Sequence, residues 1–179
     1  MNNKVADSTA LGYACIFIAS WITGLVDAGW FAPPVPYIGV VFLLFIGGIL
    51  VPVSGVFSFM NKDKIQGTLF VFLGGVYFSL AYYFMNANAS NHMVPAYSGW
   101  VTLAFVIVFF YLWLAELKGD MFKQLFLLGL WLSILAFTIY YWTMVMTFNI
   151  IGGYLSLIIA LIAAYISFRE LTAVNEANS

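Results

Sequence analysis

YSGWVTLAFVIVFFYLWLAEL (97–117), KGD (118–120) and MFKQLFLLGLWLSILAFTIYYWTMVM (121–146) decide the fold. Each flanking run is long enough to cross a hydrocarbon core of about 30 Å, for which a helix of about 20 apolar residues suffices. Lys118 and Asp120 cannot stay in hydrocarbon, so they turn the chain at a membrane surface. Hydrocarbon offers no partner for backbone N–H and C=O groups, so each run must be helical. The pattern repeats outward. Breaks at Asn86–Pro95, Asn61–Lys64 and Ala32–Pro36 set off runs near 66–85, 37–60 and 10–31, and a break at Thr147–Asn149 sets off 150–169. Without that last break, Met121 to Arg169 would form one helix about 70 Å long at 1.5 Å per residue. Gly152-Gly153, just beyond it, favours a tight reversal there.

The composition points the same way. Hydrophobic residues make up 64% of the chain and charged residues only 7%, with a mean hydropathy of +1.02. A soluble domain carries about 25% charged residues, so the solvent around most of this surface is lipid. The expected fold is an all-α, six-helix transmembrane bundle forming a single membrane domain over residues 1–179. The first apolar run is too long for a secretory signal and is expected to stay as a helix.

Charge placement predicts the orientation. Lys4, Lys62, Lys64, Lys118, Lys123 and Arg169 are all the basic residues, and they fall in the N-terminus, the second and fourth connections and the C-terminal end. The other connections contain none. Six spans put these segments on one side, which the positive-inside rule makes cytoplasmic, with both termini there. Trp30, Phe31, Tyr37, Tyr97 and Trp100 mark the opposite interface.

Most function classes fall away. The net charge of −1 argues against nucleic acid. Cys15 is the single cysteine and His92 the single histidine, so neither an intramolecular disulfide nor a Cys/His metal site can form. His92 lies in a loop segment and is expected at the surface. No nucleophile, base and carboxylate converge, so neither an enzyme nor a cofactor is expected. Asn88-Ala89-Ser90 matches the glycosylation sequon, a short and unspecific pattern.

Within the spans, Gly47-Gly48, Gly74-Gly75 and Gly152-Gly153 are sites where helix backbones can approach closely, and Ala160, Ala163 and Ala164 extend a small-residue face. Pro52 interrupts the second span and predicts a kink. Asp27 is the one ionisable residue clearly inside a span, placed near its outer end, and is a candidate for substrate or proton handling. Glu116, Lys118, Asp120 and Lys123 read as a solvated cytoplasmic loop, and Glu170 and Glu176 as tail.

Several stretches together resemble the acetate uptake transporter family, the succinate–acetate permeases. Ser8-Thr9-Ala10-Leu11-Gly12-Tyr13 corresponds to the family's N-P-A-P-L-G-L, and Asp27-Ala28-Gly29 to its N-A-G. Gly47-Gly48 with Ser54-Gly55, then Phe72 to Ser79, Leu117-Lys118-Gly119, and Gly152-Gly153-Tyr154 with Tyr165 follow the remaining motifs. The resemblance implies a hexamer of six-helix protomers, each with its own path for acetate and succinate. It places the apolar constriction at Ile16, Leu73 and Leu130, and sets Leu11, Gly12, Gly48, Gly74, Tyr77 and Ser79 beside Asp27 along the path. The chain departs from the family pattern at Asp27, Val51 and Ser58, which stand for Asn, Gln and Glu, and over Lys62 to Gln66. An ionised Asp27 would repel an anion unless it took up a proton.

The expected function is therefore a plasma-membrane channel or transporter for small carboxylates, passive or proton-coupled. A channel for a neutral solute such as urea, an amide or water, and a non-transporting membrane subunit, are the alternatives.

Overall fold

A computed structural model describes residues 8–31, 37–87 and 95–177. Lys4, the break at 32–36, the Tyr37 side chain, the Asn88–Ser90 sequon, His92 and the Glu176 side chain lie outside the described residues.

Among the described residues, six helices are long and apolar enough to span a membrane. We label them α1 (Thr9–Asp27), α2 (Tyr37–Phe42, continuing through Leu43–Leu50 and Val51–Met60), α3 (Lys64–Ala87), α4 (Pro95–Glu116), α5 (Met121–Thr143) and α6 (Met146–Ala177). Successive helices run in opposite directions, so the ends of the bundle differ. One carries Lys62, Lys64, Lys118, Lys123 and Arg169 and is called the basic end. The other carries Asp27 and is called the Asp27 end.

Local chemistry sets the helix boundaries. α1 stops at Asp27 because Gly29 adopts φ 79°, where the N–H of Trp30 reaches back to the carbonyl of Leu25 at 3.0 Å. The predicted helix ran to residue 31, so Asp27 closes α1 rather than lying a turn inside it. Asp120 caps α5, its carboxylate accepting from the N–H groups of Phe122 (2.9 Å) and Lys123 (3.1 Å). α5 ends where Met144 turns left-handed at φ 56°, its N–H bonded to the Tyr140 carbonyl at 2.7 Å. The final reversal thus falls at Met144–Val145, ahead of the expected Thr147–Asn149, and α6 runs beyond Arg169 to Ala177.

Gly152 and Gly153 make no turn. They sit inside α6, and a Cβ on Gly153 would collide with the backbone of Asp27 and Ala28. The glycine lets α1 and α6 pack backbone to backbone in lipid, where burying apolar surface offers no drive. Ala160 and Ala163 of α6 are fully buried, and Ala19 of α1 is buried against Gly47 of α2. In α2, Pro52 has no N–H for the Gly48 carbonyl. The helix answers by widening to a π-helix over Leu43–Leu50, with the Val51 N–H reaching Ile46.

The charged connection before α5 is no simple solvated loop. Asp120 accepts from Arg169 of α6 at 2.7 Å, and Lys123 pairs with Glu170 at 3.4 Å, so both lock α5 to α6. Glu170 therefore belongs to a helix and an ion-pair cluster. Burial opposes the charge on Asp120, but the Arg169 hydrogen bond and the backbone N–H groups of Lys123 and Phe122 hold its carboxyl below the usual range.

Candidate functional site

A cavity of about 760 Å³ opens among the helices at the Asp27 end. Its mouth includes Gly29, Phe31, Tyr97, Met144 and Met146; of these, Phe31, Tyr97 and both methionines are more than half exposed. From there it runs inward between α3 and α5, flanked by α1, α4 and α6. Helical spacing stacks its walls in layers: Asp27 at the rim, Thr23 one turn in, Ser20 the next, while α3 descends through Ser79 and Tyr77 to Leu73.

The lining is apolar with a small set of hydroxyls. Ser20 and Tyr77 share a hydrogen bond at 2.5 Å across α1 and α3. Ser133 meets Ser156 at 2.9 Å and donates to the Gly152 carbonyl at 2.9 Å, while Thr138 donates to Thr102 at 2.9 Å. Mid-span Ser and Thr are satisfied by such cross-helix pairs or, like Thr23 and Ser79, by bonding back to a carbonyl of their own helix. Among the described residues, Asp27 is the only carboxylate in the lining, and no Lys or Arg contributes to it. Its backbone carbonyl accepts from the Asn149 side chain at 3.0 Å, joining the ends of α1 and α6 beside the rim. Among the described residues, no cluster of His, Cys, Asp and Glu could hold a metal.

The predicted site residues divide into two groups. Asp27, Tyr77, Ser79, Leu73 and Leu130 line the cavity, with the two leucines at its inner limit. Ile16 is fully buried at the same level but contributes no wall. Leu11 is half exposed on the outside of the bundle. Gly12 lies against the Phe70 ring, Gly48 against Phe78 and Gly74 against the Pro52 ring, so these three seat helix contacts away from the cavity. The hydroxyls of Ser20, Thr23, Ser133 and Ser156 were absent from the expected set. Their signal was present, since Ser and Thr recur at helical spacing inside otherwise apolar spans.

The profile of the GPR1/FUN34/yaaH family matches residues 1–179. The chain belongs to that family. It is the family to which the glycine and aromatic motifs pointed. Among solved structures, the bacterial acetate channel SatP superposes with a TM-score of 0.88 at 18% identity, over 95% of this chain and 94% of that one. At that identity the likeness establishes the fold: the GPR1/FUN34/yaaH member described here is a multi-pass integral membrane protein with the SatP architecture. A search of curated proteins by sequence gave no match.

Proposed function

We propose that the chain is a plasma-membrane conduit for small carboxylates, acetate first and succinate second, with both termini and the basic end in the cytoplasm. The observation that carries this reading is the cavity itself, open at the Asp27 end, largely apolar in its walls and furnished with paired hydroxyls, in a family member whose fold matches that of a bacterial acetate channel. A carboxylate needs hydrogen-bond donors where it sheds water, and Ser20, Tyr77, Ser133 and Ser156 can supply them by rotating their O–H groups. The methyl end of acetate suits the apolar wall. Selectivity then arises from diameter, apolar constriction and a few polar groups rather than from a fixed cation.

Asp27 gives this reading its proton dependence. Ionised, it repels an anion at the rim; protonated, it becomes a hydrogen-bond donor to one. Uptake is therefore expected to rise as the pH on the Asp27 side falls. The functional assembly under this reading is a homohexamer, each protomer with its own path, and the path passes Leu11, Gly12, Gly48 and Gly74 only as framework.

The lack of Lys and Arg among the described lining residues also favours a second reading, passage of a small neutral solute such as urea. Proteoliposome uptake of radiolabelled acetate, succinate and urea, with and without a pH gradient, separates the two. Acetate uptake above protein-free vesicles, with urea at the vesicle background, supports the carboxylate reading; the reverse supports the neutral one. Asp27→Asn should leave uptake intact but flatten its pH dependence. An unchanged pH profile removes Asp27 from the mechanism.

A further inference from the structure

Tyr13 lies three residues before Ile16, Phe70 three before Leu73 and Phe126 four before Leu130. Each aromatic residue thus lies one helical turn closer to the basic end than a residue at the inner limit of the cavity, about 4.5–6 Å along the axis at 1.5 Å per residue. The three come from different helices and meet. The Tyr13 ring stands edge-on to Phe70, with centroids 5.2 Å apart at 82°, and edge-on to Phe126, at 5.4 Å and 87°. All three are at most 1% exposed. Aliphatic side chains therefore form the floor of the cavity, and behind them the route along α1, α3 and α5 is filled by interlocked rings.

The surroundings hold the rings in place. A Cβ on Gly12 would collide with the Phe70 ring, so only glycine leaves that ring its seat against α1. One turn further toward the basic end, Thr9 donates to Gln66 at 2.9 Å, tying α1 to α3 beneath Tyr13 and Phe70. Ser167 of α6 donates to the Ala10 carbonyl at 2.8 Å.

We infer that Tyr13, Phe70 and Phe126 form the gate that separates the cavity from the basic end, and that this ring cluster rather than the leucine floor limits passage and sets the size cut-off. The inference rests on the conduit reading above. Its physical basis is a series of barriers. Leu73 and Leu130 already border open space and can turn into it, whereas the rings line no part of the cavity and must leave favourable edge-to-face contacts to let a solute by. When two barriers act in series, lowering the smaller one hardly changes the flux.

The test combines a readout of flux with one of barrier position. In a Cys15→Ser, Lys64→Cys background the only thiol lies beyond the rings at the exposed start of α3, and a membrane-impermeant maleimide is added from the Asp27 side. Phe70→Ala, and the milder Phe126→Leu in case the first fails to give monodisperse protein, should each raise both the labelling rate and acetate flux roughly tenfold. They should also admit longer-chain carboxylates. Leu73→Ala and Leu130→Ala should change labelling and flux by no more than about twofold. Unchanged labelling in both ring variants, or entry opened by the leucine variants, overturns the gate. The two readings fail separately. Labelling that follows the ring variants without acetate flux in any protein keeps the gate and removes the substrate. Acetate flux indifferent to the ring variants keeps the substrate and removes the gate.

Discussion

The two ends of the bundle are built on opposite plans. At the Asp27 end the helices part around a cavity and large aromatic and Met side chains stand exposed; among the described residues its ties include Asn149 to the Asp27 carbonyl, Trp30 to the Tyr154 hydroxyl at 3.4 Å and the close approach of Gly153 to the backbone of Asp27 and Ala28. At the basic end the helices are shut by fully buried rings, by side-chain hydrogen bonds between α1 and its neighbours, and by the Asp120–Arg169 and Lys123–Glu170 pairs. The backbone contact of Gly153 in α6 with Asp27 and Ala28 forms a seam that holds α1 to α6 at the open end. Polar and ionic groups tie the closed end, while the open end keeps its hydroxyls for the cavity.

The largest effect is expected at the seam. Gly153→Ala places a methyl against the backbone of Asp27 and Ala28, which cannot rotate away. It should cost roughly 1–3 kcal/mol, read as a lower Tm of the detergent-solubilised protein. Gly75→Ala is its control. A Cβ there meets nothing within 4 Å, so the Tm should hold or rise slightly. Equal loss in both would mean that the glycines act through backbone flexibility and not through close approach.

Next comes the lock at the basic end. Asp120→Ala removes the α5 cap and the partner of Arg169, for about 1 kcal/mol from the cap and less from a part-exposed ion pair. The Asp120 carboxyl is held below its usual value in the folded protein. Its stabilising contribution is therefore present above the unfolded value of about 3.9 and is lost as pH falls through the lower folded one. Wild-type Tm should drop on that acid limb, and Asp120→Ala should flatten part of the drop. The smallest structural effect is expected at the open end. Asn149→Ala removes one hydrogen bond, worth about 1 kcal/mol or less, and should leave the basic end untouched by hydrogen exchange.

The contrast between the ends also explains what the sequence revealed. Six spans were legible because apolar length and charged breaks are independent signals that agree, as at Leu117–Met121. The last reversal was not, because Met144 takes a left-handed conformation without Gly, Asn or Pro to announce it. Gly152-Gly153 misled for the converse reason: in lipid a glycine pair marks close helix packing as readily as a turn. Asp27, Leu73, Leu130, Tyr77 and Ser79 reach the cavity, since each motif position maps directly onto a helix face. Leu11, Gly12, Gly48 and Gly74 share those motifs yet serve the frame, because a motif records which residues recur together and not which way they face. The rings of Tyr13, Phe70 and Phe126 sit one turn from the positions that the resemblance marked, and only their meeting in space shows them as a set.

The central claim, that this bundle conducts a small carboxylate, is most directly tested by radiolabelled acetate uptake into proteoliposomes of the wild-type chain at a pH where acetate is ionised. The account predicts uptake clearly above protein-free vesicles, increasing when the pH on the Asp27 side is lowered. Uptake equal to that of protein-free vesicles would contradict it.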